Sequence, residues 1–213
     1  AAPGVPLSSE RYIEGVEVSS EIETVRLGDV CEKCKQINPT SLERKTFRYI
    51  DIDCIDNEAL RINDPQTLGV DEAPSSARKL VKTADVLFST VRPYLRNIAR
   101  VPSYLDGEIA STGLAVLRTN PERVYPDYLF FIVANQRFVD KVNALTTGAS
   151  YPAVTENDLL DQEIPLPSLD EQRRIVEEIA GYQKVIDGAR GIVGGWKPSY
   201  ILNSGCERIV LDD

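Results

Sequence analysis

One short segment has side chains that could contact nucleic acid, Arg92-Pro93-Tyr94-Leu95-Arg96. A guanidinium group presents a planar fork of donors that can bond guanine in a bidentate manner. The segment offers two such forks and an aromatic ring within one turn. The charge pattern alone fits a surface loop with ordinary salt bridges equally well, so both interpretations stay open at this point.

The overall charge argues against a protein that binds DNA by itself. The 213 residues include 24 Lys and Arg against 33 Asp and Glu, which gives a formal net charge of −9, whereas phosphate contacts need positive charge. The charge is unevenly spread, however. Residues 75–101 hold six basic residues and one acid, while residues 156–190 hold nine acids and four basic residues. This distribution suits a protein that touches phosphate with one part and a partner with another.

The sequence offers little for catalysis. It has no histidine, so imidazole triads and His-ligated metal sites are excluded within this chain. Glu43-Arg44-Lys45 has the spacing of a nuclease metal site, but no acid in a suitable context precedes it. A phosphate-binding glycine loop is also missing from the sequence. We predict no catalytic residue and no metal site, and keep a magnesium-dependent nuclease using Glu43 and Lys45 as the enzyme alternative.

The four cysteines do not form a recognisable zinc pattern. Cys31 and Cys34 make a lone C-x-x-C, and Cys54 and Cys206 stand apart. A structural zinc site usually needs a second pair at matching spacing. We predict reduced cysteines in an intracellular, cytoplasmic protein.

Short alternating segments predict several strands. They occur at residues 24–30, 47–53, 86–91, 98–101 and 114–118. Residues 56–78 are polar and contain two prolines, which predicts a long loop. An apolar pattern from Tyr128 through Phe138 and Val142 to Leu145 predicts one amphipathic helix. The combination indicates an α+β fold, a twisted β-sheet with long loops.

A second helix is predicted after Pro167. Ser168 and Glu171 form a capping box. Beyond them, apolar residues are spaced 4, 3, 4, 3, 4 along the chain, which indicates a seam that pairs with another helix. The alternative is packing against the core of its own domain. The seam residues are Ile175, Ile179, Tyr182, Ile186, Ala189 and Val193.

The end of the chain partly repeats its beginning. Ser20, Glu23, Val25, Leu27 and Asp29 match residues 204, 207, 209, 211 and 213 at a constant offset of 184. The match is short enough to arise by chance; if it is real, a second unit begins there. The sequence also lacks methionine, even at position 1, and we expect a piece of a longer polypeptide.

Several segments within residues 23–196 together resemble one protein family. The most specific is a proline-rich strand end that runs into Glu-Gln-x-x-Ile-Val on a helix, residues 164–176. The others are Tyr49-Ile50-Asp51-Ile52, Asp85-Val86-Leu87-Phe88-Ser89 followed by Arg92, Ala110-Ser111-Thr112-Gly113, Thr147-Gly148-Ala149-Ser150 and the helix segment 183–188. The succession resembles a target recognition domain of the DNA specificity subunit of type I restriction–modification systems.

The resemblance implies a division of the chain. Residues 1–20 would be a linker or the end of a preceding element, 21–166 the target recognition domain, 167–196 a conserved-region helix of coiled-coil type, and 197–213 a linker and the start of a second recognition unit. Members of the family carry two such domains, each reading half of a bipartite site. The chain would then be a fragment of a two-domain subunit, a half-subunit that dimerises, or part of a fused methyltransferase–specificity polypeptide.

The resemblance also implies partners. They are double-stranded DNA, a DNA adenine methyltransferase subunit or fused domain, and a second recognition domain or second copy joined through the helix. Whether a restriction subunit participates is left open. S-adenosylmethionine would bind the methyltransferase, so this chain would hold no cofactor. A protein-interaction module without DNA binding is the remaining alternative.

The family assigns no universal base-reading residues, so the DNA contacts are chosen on physical grounds. Arg92 and Arg96 are the strongest candidates for base or phosphate contact, and Thr147 and Ser150 could supply hydroxyl donors. The full predicted set is Arg44, Lys45, Arg48, Arg92, Tyr94, Arg96, Thr147, Ser150 and Tyr151. Ile175, Ile179, Tyr182 and Ile186 are predicted to form the helix-pairing seam.

Overall fold

The computed structural model describes residues 22–148 and 150–195 of the chain. Two four-stranded sheets form its centre. In the first, the order is β2-β11-β8-β9 and every pair is antiparallel. In the second, the order is β6-β3-β10-β7, with β3 and β10 parallel. Two smaller sheets pair β1 with β12 and β4 with β5.

The strands are β1 (Thr24–Arg26), β2 (Cys31–Glu32), β3 (Thr46–Ile50), β4 (Ile55–Asp56), β5 (Arg61–Ile62), β6 (Gln66–Gly69), β7 (Ala77–Leu80), β8 (Val86–Ser89), β9 (Ile98–Arg100), β10 (Ile109–Ser111), β11 (Leu114–Thr119) and β12 (Glu163–Pro165). The helices are α1 (Pro126–Ala134), α2 (Gln136–Asn143), α3 (Glu156–Leu160) and α4 (Leu169–Gly195). Mixed sheets with a long C-terminal helix confirm the predicted α+β class.

The first sheet is covered on both faces. Val86 and Phe88 of β8 pack in a cluster with helix residues, and the ring of Phe88 meets that of Phe138 edge to face at 6.2 Å. Leu87, which points to the opposite face, belongs to a second cluster with Ile50 of β3. Burial on both faces explains why β8 is a continuous apolar run rather than an alternating one.

The prediction of a long loop at residues 56–78 is wrong. This stretch contains β5, β6, the end of β4 and the start of β7. Each of these strands is only two to four residues long, too short for a hydrophobic period to show. β6 pairs with β3 and β7 pairs with β10, whereas β4 and β5 pair with each other.

The single helix predicted from Tyr128 to Leu145 is also wrong, because the chain breaks it at Asn135. The backbone there is extended, with φ −64° and ψ 136°. The Asn135 side chain accepts a hydrogen bond from the Arg137 amide at 2.9 Å and so caps a new helix, α2. The apolar period continues across the break, which is why it suggested one element.

The predicted start of the last helix is confirmed. Ser168 Oγ accepts a hydrogen bond from the Glu171 amide at 3.3 Å. The Glu171 carboxylate forms an ion pair with Arg174, with 2.6 Å between Oε1 and Nη2. This interaction lowers the pKa of Glu171. None of the helices within residues 22–195 is long and apolar enough to cross a membrane.

The chain divides into two compact units after Val176. Ile175 lies in the first unit and packs against its core, as the alternative interpretation of the seam expects. Tyr182 and Ile186 belong to the second unit, where each is 38% exposed and the neighbouring Val185 is 70% exposed. The predicted terminal segments, residues 1–20 and 197–213, and the sequence repeat at 204–213 lie outside the described residues.

Candidate nucleic-acid interface

The segment predicted to contact nucleic acid forms a rigid turn directly after β8. Arg92 and Arg96 adopt left-handed backbone conformations, with φ of 47° and 57°. Between them, residues 93–95 form one turn of 3-10 helix, closed by the Leu95 amide on the Arg92 carbonyl at 2.9 Å. We call residues 92–96 the arginine turn. It presents Tyr94, which is 49% exposed.

A second loop, residues 146–154, packs beside the arginine turn. Thr147 and Ala153 exchange two backbone hydrogen bonds of 3.0 Å, and the Val154 amide donates to the Thr90 carbonyl at 2.9 Å. Gly148 has φ 93°, and a Cβ added there would lie 3.0 Å from the Tyr151 carbonyl oxygen. The positive φ and the close approach of the Tyr151 carbonyl therefore explain the glycine in the Thr-Gly-Ala-Ser motif.

The two loops meet through a stacked pair. The guanidinium carbon of Arg92 lies 4.7 Å from the centroid of the Tyr151 ring, within the range of a cation–π interaction. The Arg92 amide also donates to the Pro152 carbonyl at 2.8 Å. Tyr151 is 63% exposed, whereas Arg92 is half-buried, with its Nε buried. From the predicted set, the structure thus brings Arg92 and Tyr151 into contact; Tyr94 lies on the same turn as Arg92, and Thr147 and Ser150 lie on the same loop as Tyr151.

A cleft of about 200 Å³ adjoins the stack. Asp51 and Asp53 line it together with Arg92 and Tyr151. The Asp51 carboxylate accepts a hydrogen bond from the Ile52 amide at 2.8 Å and so begins a short 3-10 helix. Sequence reasoning did not select either aspartate as a site residue, because the cleft forms only when three distant loops come together.

Arg96 is engaged inside the fold. Its Nη2 donates to the carbonyl oxygen of Ala134 at 2.9 Å, at a partly buried site. Ala134 is the last residue of α1, so the guanidinium satisfies a carbonyl at the helix end, where positive charge is favourable. Its role as a DNA contact stays a prediction, whereas its contact with α1 is observed.

We expect Arg96→Ala to lower the free energy of unfolding by about 1–3 kcal/mol, because the substitution removes a charge-assisted hydrogen bond. Urea denaturation of the purified protein measures the change. Arg173→Ala is a suitable control, since Arg173 is 54% exposed and its ion pair is with the exposed Asp170 in the preceding turn; it should change stability by less than about 0.5 kcal/mol. Equal, small effects of both substitutions would contradict a structural role for Arg96.

The other predicted residues lie on and before β3. Arg44 makes a bidentate pair with Glu108, at 3.0 and 2.7 Å, and donates to the Gly107 carbonyl at 2.8 Å. Lys45 is exposed. Arg48 lies over the ring of Tyr104, with 5.5 Å from the guanidinium carbon to the centroid. The structure therefore forms a second arginine–tyrosine pair and engages Arg44 internally.

Sequence reasoning missed Tyr104, which is 58% exposed. It sits in a short 3-10 turn, Ser103–Leu105, without a periodic pattern or a charged cluster around it. Only its contact with the distant Arg48 distinguishes it from any other surface tyrosine. No signal in the local sequence could have identified it.

Two of the six basic residues counted in residues 75–101 pair with acids within the fold. Lys79, almost fully buried, pairs with Glu156 at 2.7 Å. Arg100 pairs with Asp127. The counted net charge therefore overstates what residues 75–101 can offer to phosphate.

The cysteines within residues 22–148 and 150–190 are free thiols, Cys31, Cys34 and Cys54, as predicted. Burial raises the pKa of the Cys31 thiol to about 12 and also raises that of Cys34. Cys206 lies outside the described residues. Among the described residues, no three or more Cys, Asp or Glu side chains lie together in an arrangement that could hold a metal ion. Glu43 and Lys45, the nuclease alternative, are both exposed.

Comparison with known proteins identifies the family. The model of the type I restriction modification DNA specificity domain matches residues 19–188. The chain belongs to this family. The match includes both loops of the candidate interface and most of α4.

Individual relatives agree with this specificity domain assignment. The type I restriction enzyme HindI specificity subunit of Haemophilus influenzae is 26% identical over 112 residues, 52% of this chain and 24% of that protein. The putative MjaX specificity subunit of Methanocaldococcus jannaschii is 30% identical over 109 residues, 51% of this chain and 24% of that protein. The chain thus spans about a quarter of the length of these curated relatives.

Solved structures resemble the specificity domain over most of its length. The HsdS subunit from Thermoanaerobacter tengcongensis matches with a TM-score of 0.74 and 41% identity, over 81% of this chain and 44% of that one. The S subunit of the type I restriction-modification system from M. genitalium matches with a TM-score of 0.51 and 12% identity, over 84% of this chain and 44% of that one. The second likeness shows the fold alone.

The structure gives the Glu-Gln motif of the specificity domain a physical role. Gln172 is fully buried. Its side chain donates to the carbonyls of Arg123 and Pro167 at 3.0 and 2.9 Å and accepts from the Tyr125 amide at 2.8 Å. One amide group thereby satisfies three buried backbone groups and ties the first turn of α4 to the segment before α1.

Proposed function

We propose that this specificity domain recognises double-stranded DNA by sequence and directs an adenine methyltransferase to one half of a bipartite site. The observation that carries the proposal is the Arg92–Tyr151 stack, in which a half-buried arginine is held against an exposed tyrosine where the two loops meet. A preoriented guanidinium loses little side-chain entropy on binding, and it fits guanine or phosphate in a bidentate manner.

The proposed interface has a centre and a periphery. Arg92, Tyr94, Thr147, Ser150 and Tyr151 form the centre, from the arginine turn and the adjoining loop. Lys45 and Arg48, with its partner Tyr104, would contact flanking phosphates from β3. Arg44 and Arg96 would support these surfaces from within the fold, in keeping with their observed internal contacts.

The chemistry would belong to a partner. We propose that the methyltransferase, as a separate subunit or as another part of the same polypeptide, binds S-adenosylmethionine and transfers the methyl group, and that this chain is not itself an enzyme. Ile179, Tyr182 and Ile186 would pair α4 with a helix of a second recognition domain or a second copy. A restriction subunit could join the same assembly, and we place the assembly in the cytoplasm with its DNA.

An interaction module without DNA binding is the other candidate. It would use α4, whose exposed apolar residues suit helix pairing. It would leave the Arg92–Tyr151 stack and the exposed loop beside it without a purpose, so we favour DNA recognition.

We expect Arg92→Ala to weaken binding to the target duplex by about tenfold or more, because it removes a bidentate contact. Binding is measured with the intact protein assembled with its methyltransferase partner. If Arg92 contacts phosphate, the slope of log affinity against log salt should also fall by about one.

Arg26→Ala is the matched control for this experiment. It removes the same formal charge, but Arg26 already pairs with Asp29 and Asp161 at 3.2 and 3.3 Å. Its effect on affinity should be less than about twofold. Unchanged affinity and unchanged sequence preference in Arg92→Ala would contradict the proposed site.

A further inference from the structure

Two large side chains are exposed next to each other at the apex of the arginine turn. Tyr94 is 49% exposed and Leu95 is 38% exposed. A single exposed leucine is ordinary. We call Tyr94 and Leu95, which are adjacent on one turn beside a stacked arginine, the apolar tip. Nothing in the sequence pattern assigned a role to Leu95.

The backbone beneath this tip is fixed by several contacts. Pro93 is buried, the Leu95 carbonyl accepts a hydrogen bond from the Asn57 side chain at 2.8 Å, and Arg96 bonds to the end of α1. Because the Leu95 carbonyl is already used, the tip offers a partner mainly its side chains. Two non-glycine residues with positive φ, Arg92 and Arg96, flank it; this strained conformation is concentrated at functional sites.

The neighbouring charge indicates what the tip contacts. The Arg92 guanidinium and the carboxylates of Asp51 and Asp53 line one cleft with Leu95. Guanidinium and carboxylate groups bond the polar edges of bases, so this charged lining suits a nucleic acid rather than an apolar protein surface. In the major groove of DNA, phosphates flank base edges, and thymine is the base that presents an apolar group there, its C5-methyl. An apolar tip beside a cation matches a thymine next to a phosphate.

We propose that Leu95 contacts a thymine methyl group in the recognised half-site, with Tyr94 packed beside it, and so contributes to base selection. This inference rests on the proposed function, because it requires that the arginine turn enters the major groove. It adds a specificity-determining residue and a base type that the predicted DNA-binding set did not contain.

The experiment replaces the thymines of the half-site with deoxyuridine, one at a time. Deoxyuridine lacks only the methyl group. We expect the intact protein with its methyltransferase partner to bind one such duplex about three- to fivefold more weakly than the thymine duplex, as the loss of one buried methyl predicts. Leu95→Ala should bind the two duplexes equally, so that the discrimination disappears at that position.

Leu145→Ala is the matched control, since Leu145 is 43% exposed and lies after α2 rather than on the turn; it should keep the discrimination. If no thymine of the half-site shows discrimination, or if Leu95→Ala weakens both duplexes and keeps their ratio, the inference is wrong. In either case a continued effect of Arg92→Ala would leave the proposed function intact. If the thymine discrimination is absent and Arg92→Ala also leaves binding unchanged, both the inference and the proposed function are wrong.

Discussion

Asp85→Ala is expected to lower the free energy of unfolding by about 3–5 kcal/mol, because it leaves a buried guanidinium without its partner. Asp85 is only 2% exposed. Its carboxylate accepts hydrogen bonds from Arg118 Nε at 2.9 Å, from Arg118 Nη2 at 2.6 Å and from the Lys82 amide at 2.7 Å. These contacts raise the pKa of the Arg118 guanidinium, mainly through the hydrogen bonds to Asp85. Because arginine stays protonated in proteins even without such a partner, Asp85→Ala leaves an unpaired charge.

Asp29→Ala provides the comparison for Asp85→Ala. Asp29 pairs with Arg26 at 3.2 Å on the surface, where the two side chains are 50% and 59% exposed. Surface pairs contribute about 0–1 kcal/mol, so urea denaturation should separate the two variants clearly. If Asp85→Ala lowers the free energy of unfolding by less than about 1 kcal/mol, the Asp85–Arg118 pair does not stabilise the fold to the expected extent.

The parts of the fold that sequence predicted are those with a local physical signal. β8 and β11 are apolar runs bounded by polar residues, and Ser168 marks the start of α4 by its cap. The strands between residues 55 and 80 have no such signal, because they are short and are ordered by their pairing partners: β4 pairs with β5, β6 with β3, and β7 with the distant β10. Asn135 carried a signal that was overlooked, since asparagine is a preferred N-cap.

The candidate site was predictable to a similar extent. Arg92 and Tyr151 could be selected by residue type and motif, but not their stacking, which joins two loops far apart in the sequence. Arg44 and Arg96 look the same in sequence as Arg92, yet each is bound to a distant acceptor within the fold. Sequence gives the donors of a site, whereas the acceptors that engage them internally become visible only in three dimensions.

The second large effect is expected from exchanging residues 23–166 for the same segment of a relative with a different target. The loops that carry the candidate interface lie within this segment, whereas α4 lies outside it. Gln172 joins α4 to the exchanged segment through the backbone groups of Arg123 and Tyr125. Ile175 and Val176 of α4 also pack against apolar side chains of the exchanged segment. With a donor that keeps apolar residues of similar volume at those core positions, we expect the hybrid to fold and assemble.

A matched hybrid controls for the exchange itself. The same segment taken from a relative with the same target should leave the modified sites unchanged. If that hybrid loses activity, the junction is at fault and the boundary at residue 166 has to be moved along the strand that precedes α4.

Mapping methylated adenines in DNA exposed to the complete system tests the central claim most directly, that this chain selects the site while a partner modifies it. With the exchanged segment, methylation of the recognised half-site should move to the half-site of the donor and disappear from the original one. Continued methylation of the original sites by the hybrid would contradict the account.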